Sequence, residues 1–343
     1  MKAVSDVKFE GFDRVYQGTG PHYEVWYGKV DLPDDQALWF RYKTLDGAVE
    51  AASAWAVFFG KDGIQAGKER WWLGEVQPAG PVTLHNRPEN ALGKPMRFEG
   101  RHAVFRVGDA HLDDANALGT AGPISWDLHW KDSGKSFRYI PPSLQKFGLA
   151  RSTYDDCFMD LRVSGRVTCD NQIVDFENAT GMVGHIQGSK IAGHSWAWSH
   201  CNQFDDNEDA VFEGLSARAL LGKKRASPLM TALILFLDGR SYEFHGPIQI
   251  FQTKSDFGRH KWSFAADTGD VRLSGEARAP SDVALVRYTD TDGSGVWCYN
   301  SKLGSLKLRL TDRKRGIDKI LQSTNRAAYE TVTREKPEEA ALI

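Results

Sequence analysis

The chain has 343 residues, of which 41% are hydrophobic and 26% are charged, and its formal net charge is −2. This length allows one large domain or two of ordinary size, and the composition is that of a globular protein. With only short basic clusters, the chain lacks the broad positive face that nucleic acid requires. Its longest apolar runs, such as residues 51–60, are too short to cross a bilayer. We therefore expect no nucleic-acid partner and no integral membrane segment.

The cysteine pattern and the first residues bear on the cellular compartment. Cys157, Cys169, Cys201 and Cys298 lie far apart and form no CxxC pair, which argues against a disulfide scaffold and against a zinc ribbon. Residues 1–10 have no apolar stretch behind their charge, so a secretory signal is not expected. These features predict a cytoplasmic protein.

Short strands are predicted along the whole chain. Eleven Trp, eighteen Phe and ten Tyr favour strands, and 33 Gly favour turns. Strand patterns occur, in chain order, at residues 22–30, 38–43, 54–59, 70–76, 96–99, 102–107, 124–131, 137–140, 161–168, 173–176, 194–204, 233–237, 241–244, 248–253, 261–265, 271–277, 283–288, 296–299 and 306–310. Residues 211–221 fit a helix or a strand, and residues 317–331 are the best helix candidate. The spacing predicts an all-β fold of sandwiches or barrels with a short C-terminal helix.

Residues 193–204 separate into two faces when they are interpreted as a strand, because successive side chains point to opposite sides of a sheet. One face carries the large side chains, which are His194, Trp196, Trp198, His200, Asn202 and Phe204. The other carries the smaller ones, Ser195, Ala197, Ser199, Cys201 and Gln203. The large face suits a pocket for a mainly apolar ligand held by a few polar groups. The alternative is a bulky core strand with two hydrogen-bonded histidines.

Asp127 and His129 share one face of a second strand. Side chains two residues apart on a strand can hydrogen-bond, so they could form a general acid–base pair at the rim of a pocket. The alternative is the solvent-facing side of a half-exposed antiparallel strand, which has the same pattern.

Two further strands offer polar groups to the same pocket. Glu24 shares a face with Trp26, and a carboxyl group beside an indole in an enclosed site has a raised pKa and could donate a proton. A surface strand would have the same pattern. His185 and Gln187 share a face between glycines, which in strands often mark the close approach of a ligand or backbone.

Motifs of the common cofactor sites are absent from the sequence. Gly18-Thr19-Gly20 lacks the remaining glycine of a dinucleotide site, and neither a phosphate-binding GxxxxGK[ST] loop nor a GxSxG elbow occurs. His194 and His200 would lie roughly 20 Å apart along a strand that rises ~3.3 Å per residue, which is too far for one metal ion. We expect no bound cofactor and no metal.

Several of these stretches resemble the tocopherol-cyclase-like proteins and the related carotenoid hydratase group. The resemblance is carried by residues 184–188 and 196–204, and more weakly by residues 23–27, 39–42 and 139–142. It implies two lipocalin-like (calycin) β-barrel or sandwich domains packed side by side around an apolar pocket. It also implies prenyl, polyene or polyketide substrates. We place the two domains at residues 1–190 and 191–343.

The leading hypothesis is a cofactor-independent cyclase, hydratase or isomerase for a hydrophobic, isoprenoid-like or polyketide-like substrate. Its catalytic candidates are His200, Asp127, Glu24 and His185. Its ligand-binding candidates are Trp196, Trp198, Asn202, Gln187, Trp26 and Phe204, with the indoles stabilising positive charge through their ring faces. The alternatives are a non-catalytic lipid or pigment binding protein and a structural pair of barrels. The sequence does not choose between enzyme and carrier, and it does not set the oligomeric state.

Overall fold

The computed structural model describes residues 12–13, 20–46, 50–72, 103–132, 134–140, 152–222 and 225–343. Several parts of the sequence interpretation lie outside these residues. They are the amino-terminal segment inspected for a secretory signal, Gly18 and Thr19 of the rejected dinucleotide motif, the strand pattern at residues 96–99 with the end of the one at 70–76, and the Pro141-Pro142 pair of the family resemblance. Within the described part of the chain, no helix has the length and apolar character needed to cross a membrane.

The first half of the described chain forms one antiparallel sheet. Its strands are β1 (His22–Leu32), β2 (Gln36–Asp46), β3 (Glu50–Gly60), β4 (Gly63–Trp72), β5 (Ala103–Val107), β6 (Ala110–Asp113), β7 (Asn116–Ala121), β8 (Ile124–Asp132), β9 (Phe137–Arg138), β10 (Ser152–Cys169) and β11 (Gln172–Gly188). They hydrogen-bond in the order β4-β3-β2-β1-β11-β10-β8-β7-β6-β5, and β9 pairs with β10.

The second half forms a similar sheet. Its strands are β12 (Gly193–Cys201), β13 (Val211–Leu221), β14 (Arg225–Ala226), β15 (Met230–Leu237), β16 (Arg240–Phe244), β17 (Lys254–Phe257), β18 (Lys261–Asp267), β19 (Val271–Arg278), β20 (Ala284–Thr289), β21 (Gly295–Asp312) and β22 (Ile317–Thr333). The order is β16-β15-β13-β12-β22-β21-β19-β18-β17, with β14 beside β13 and β20 beside β21. A single-turn helix, α1 (Gln249–Gln252), precedes β17, so the strand prediction at residues 248–253 is wrong.

Each sheet curls around its own apolar core. The first core includes Trp26, Phe40, Tyr42, Phe58, Trp126 and Leu128. The second includes Ala197, Phe212, Leu233, Trp262, Leu308 and Tyr329. A Cβ atom on Gly67 of β4 would lie 1.8 Å from the carbonyl oxygen of Ala121 in β7, so only glycine permits this close approach of two backbones. No ladder joins β4 to β5 in the described residues, so this sheet is open and is not a closed barrel.

The outer faces of the two sheets pack against each other. Their apolar contact combines Trp39, Trp55 and Val57 of the first sheet with Val286, Val296 and Val332 of the second. Buried hydrogen bonds also cross the interface. Lys43 Nζ donates to the carbonyl of Thr289 at 3.0 Å, and Asn202 Nδ2 donates to the carbonyl of Gly181 at 2.8 Å. Since buried polar groups need partners, these bonds help to fix how one sheet sits on the other.

The predicted all-β class is confirmed, and the predicted C-terminal helix is wrong. Residues 317–331 lie in β22, which pairs with β12 on one side and β21 on the other. Buried Leu321 and Ser323 alternate there with exposed Gln322 and Thr324, which is the period of a strand. The ambiguous residues 211–221 are also a strand, β13.

Candidate functional site

A cavity of about 220 Å³ lies where the two sheets meet. Its apolar walls include Ile186 from β11, Trp196 from β12, Leu215 and Ala217 from β13 and Met230 from β15. Its polar walls include Tyr23, Arg41, Ser152, Thr153, Tyr154 and Tyr288. Because both sheets line it, the cavity is complete only when they are packed together. A mostly apolar hollow with a few polar groups is the usual form of a small-molecule site.

Two buried carboxyl groups, one from each sheet, lie behind the cavity lining and are connected to Tyr154 in its wall. Asp156 belongs to β10 and Glu213 to β13, and both side chains are fully buried. Each carboxyl is within hydrogen-bonding reach of the other. Glu213 Oε1 also accepts hydrogen bonds from the indole N–H of Trp198 and from the Tyr139 hydroxyl, the latter at 2.9 Å. The pair is thus enclosed and held by several donors.

Burial raises the pKa of both carboxyl groups. The pKa of Asp156 rises from 3.8 to about 7, even though hydrogen bonds from Glu213 and Tyr27 oppose the change. The pKa of Glu213 rises well above its ordinary value because of burial and then because of the nearby Asp156 charge. Two adjacent buried carboxyl groups cannot both ionise easily, so the pair retains a proton near neutral pH. Such a pair can act as a general acid.

Two phenol hydroxyls connect the carboxyl pair to the cavity wall. The Tyr27 hydroxyl lies 2.9 Å from Asp156 Oδ1 and 2.8 Å from the hydroxyl of Tyr154. A phenol carries one hydrogen to donate. If protonated Asp156 donates to Tyr27, then Tyr27 donates to Tyr154, and the hydrogen of Tyr154 is left for a group in the cavity. The arrangement therefore forms a path for a proton from Asp156 to the cavity.

His200 holds the other side of the carboxyl pair. Its Nδ1 lies 2.7 Å from Glu213 Oε2, and the ring is fully buried. Burial lowers the pKa of His200 well below its ordinary value, and the charges of Lys29 and Lys302 lower it further. The imidazole is therefore neutral near pH 7, and it positions Glu213 instead of donating a proton as an imidazolium.

The residues of the predicted large face do not all lie at the cavity. Trp196 lines the cavity, and the indole of Trp198 packs edge-on against Tyr27 with ring centroids 6.0 Å apart. Asn202 joins the two sheets through its bond to Gly181. The placement of Phe204 on this face is wrong, because β12 ends at Cys201 and Phe204 packs in the second core.

Four other candidates, Glu24, Trp26, His185 and Gln187, lie together on the face of the first sheet that points away from the second sheet. His185 stacks on Trp26 with centroids 4.7 Å apart, and its Nε2 lies 3.6 Å from Glu24 Oε1. Gln187 Nε2 donates to Thr153 Oγ1 at 2.8 Å. Trp26 belongs to the first core, whereas its neighbour Tyr27 faces the second sheet. The strand alternation therefore separates these four candidates from the carboxyl pair.

Asp127 is exposed on the outer side of β8, and His129 is exposed beside it. Their strand alternates buried and exposed residues, as the half-exposed alternative proposes. Asp127 is therefore remote from the buried carboxyl pair. Among the described residues, no three His, Cys, Asp or Glu side chains are grouped so that they could hold a metal ion.

Sequence reasoning did not select Asp156 or Glu213. Glu213 stands between Phe212 and Gly214 in a segment that fits a helix or a strand, and only the strand pairs it with His200 across β12 and β13. Asp156 adjoins Asp155, whose carboxylate pairs with Arg138 at 2.7 Å. For Glu213, a single charged residue inside an apolar strand pattern was the available signal, since such charges are rarely buried without a partner. Asp156, which follows another aspartate, had no such signal.

Comparisons with known proteins agree with this architecture. A family model described as tocopherol cyclase-like matches residues 157–332. Two uncharacterized proteins of Mycobacterium tuberculosis, from strains CDC 1551 and H37Rv, are each 22% identical over 307 residues, which is 87% of this chain and 84% of theirs. A putative AttH from Nitrosomonas europaea has a similar structure, with a TM-score of 0.53, 13% identity and coverage of 92% of this chain and 94% of that one.

Two further solved structures have the same fold. Kievitone hydratase from Nectria haematococca aligns with a TM-score of 0.53 and 8% identity, over 95% of this chain and 92% of that one. CghA in complex with Sch210972 aligns with a TM-score of 0.55 and 9% identity, over 94% of each chain. At these identities the structures establish the fold.

Proposed function

We propose that this chain, which belongs to the tocopherol cyclase-like family, is an acid-dependent cyclase, hydratase or isomerase for a hydrophobic substrate. The observation that carries the proposal is the buried Asp156–Glu213 pair, which is joined by two phenol hydroxyls to an apolar cavity. A carrier needs the cavity, but it has no use for a protonated carboxyl pair connected to it.

In the proposed reaction a proton moves from the carboxyl pair through Tyr27 to Tyr154, while Tyr154 gives its own proton to a double bond of the substrate. The resulting carbocation has three fates. It binds an oxygen of the same molecule, it binds the oxygen of a water molecule, or it loses a proton from a neighbouring carbon. These outcomes are cyclisation, hydration and isomerisation. In the first two the oxygen that binds the cation releases its proton, and in the third the carbon beside the cation does. The proton then returns to the pair, so the chain is regenerated.

The remaining residues support this chemistry. Trp196 lines the cavity, and an indole ring face can stabilise positive charge that develops on the substrate. Trp198, Tyr139 and neutral His200 hold Glu213 in place. The mostly apolar lining favours an isoprenoid-like or polyketide-like substrate. Since the chain supplies the acid itself, we propose that no cofactor takes part.

In the test, purified protein is incubated in deuterated water with a panel of prenylated quinols, carotenoid-type polyenes and linear polyketides. We expect a cyclised, hydrated or isomerised product that carries deuterium at the protonated carbon, detected by mass spectrometry. Asp156→Asn and Glu213→Gln should lower turnover by about 10² or more, as loss of a general acid does. Asp127→Asn, at an exposed carboxyl, serves as the matched control and should retain full activity.

Two outcomes would contradict the proposal. One is full turnover in the Asp156→Asn and Glu213→Gln variants. The other is stoichiometric retention of an unchanged panel compound without turnover, which would favour the lipid or pigment carrier. Turnover that disappears after prolonged dialysis against a chelator would contradict the cofactor-independent part alone.

A further inference from the structure

Arg41 of β2 lines the cavity and is a buried cation without an anionic partner among the described residues. Only 7% of the residue is exposed. Its Nη1 atom has no hydrogen-bond partner, and within the described part of the chain no carboxylate forms an ion pair with it. An unpaired buried charge is costly, so such a group in a binding site indicates that something supplies its partner.

The contacts of the Arg41 guanidinium are aromatic. Its central carbon lies 4.0 Å from the ring centroid of Tyr288 and 4.9 Å from that of Trp55. These rings stabilise the positive charge through their faces, but they accept none of its in-plane N–H groups. The guanidinium thus packs against two rings, and its buried Nη1 atom is left with unused hydrogen-bonding capacity.

Among the described ionisable groups around this end of the cavity, none forms an ion pair with Arg41. Burial raises the pKa of Tyr23, and its hydroxyl, which is hydrogen-bonded to Ser152, is therefore neutral. Asp290 Oδ1 accepts the backbone N–H groups of Ile191 and Thr291 at 3.0 and 2.8 Å. Tyr288 is also kept neutral, because burial raises its pKa well above its ordinary value.

We propose that Arg41 binds an anionic oxygen group of the ligand, such as a carboxylate or an enolate, while the apolar body of the ligand fills the rest of the cavity. The chemistry matches the two parts of the site. The edge of a guanidinium binds planar oxyanions, and walls such as Ile186, Leu215 and Met230 suit a hydrocarbon chain. This inference rests on the proposed function and narrows its substrate class to amphiphiles with one anionic end.

The experiment compares geranic acid with geraniol, which share a prenyl chain and differ in the anionic head. Their dissociation constants are measured at pH 7.5 by calorimetry or by quenching of tryptophan fluorescence, since Trp196 lines the cavity. We expect wild-type protein to bind the acid about 10- to 100-fold more tightly, the range for hydrogen bonds to a charged group. Arg41→Met should remove this preference and leave geraniol affinity within about threefold of wild type.

Two control variants define the comparison. Arg272→Met removes an exposed arginine in the second sheet, so it reports on non-specific attraction of anions and should keep the preference for the acid. Arg41→Lys retains a cation and should keep part of the preference. It takes the place of the methionine variant if that variant does not fold. Far-ultraviolet circular dichroism establishes that each variant is folded.

The proposal is overturned if wild-type protein binds the acid no more tightly than the alcohol, whatever the variants do. It is also overturned if folded Arg41→Met keeps the preference, since the guanidinium would then serve only to brace the two sheets through Trp55 and Tyr288. Because the readout is binding, it is independent of turnover. A chain that binds the acid through Arg41 without converting any substrate would refute the proposed reaction and retain this site.

Discussion

Asp156→Asn tests whether the buried carboxyl pair retains a proton in the folded protein. The pKa of Asp156 rises on folding from 3.8 to about 7 because of burial. Each pKa unit corresponds to about 1.4 kcal/mol, so the full difference is about 4 kcal/mol. For a raised pKa the folded state binds more protons than the unfolded state. The associated stability is fully present below pH 3.8 and is lost as the pH rises to about 7.

Wild-type protein should therefore lose up to about 4 kcal/mol of stability through this group between about pH 4 and pH 7, with no further loss above that. The amide of the Asp156→Asn variant cannot ionise, so this variant should lack the part of the loss that Asp156 causes, while buried Glu213 still contributes its own. The assay is urea denaturation at several pH values and constant ionic strength, with free energies of unfolding taken from linear extrapolation. The exposed Asp127→Asn variant should follow the wild-type curve. Parallel curves for wild type and Asp156→Asn would refute the proton-sharing interpretation.

Two further substitutions examine the groups around the pair. Tyr154→Phe keeps the aromatic ring in the cavity wall but removes the last hydroxyl of the proton path, so turnover should fall about 10²-fold while ligand affinity stays within about threefold. Tyr139→Phe, which affects a hydroxyl outside that path, should cost less, and equal losses in the two variants would contradict the path. Trp198→Phe removes an N–H donor to buried Glu213 and should lower the free energy of unfolding by about 1–3 kcal/mol in denaturation experiments. An unchanged value would mean that this bond contributes nothing.

The faces of β12 could be predicted from the sequence because strand alternation is a local property. Trp196 and Trp198 do lie on the side that meets the other sheet, and Ala197 and Cys201 do lie in the core of their own. The alternation ends where the strand ends, and for this reason Phe204 departs from the pattern. Periodicity identifies faces, but it does not give the residue at which a strand stops.

The carboxyl pair could not be predicted in the same way, because its burial is a product of tertiary structure. Glu213 lies directly opposite His200 in the ladder between β12 and β13, but Asp156 comes from the other sheet. Neither residue has a distinguishing neighbour in sequence, and only the packing of the two sheets brings them together. The segment at residues 317–331 illustrates the same limit, since pairing with strands on both sides decides its conformation.

Because Asp156 and Glu213 come from different sheets, the raised pKa values of the pair depend on the two sheets being packed together. If the halves separate, water reaches both carboxyl groups, their pKa values return toward those of ordinary side chains, and the proton is released to solvent. The acidity on which the proposed reaction depends would therefore exist only while the two sheets are packed together.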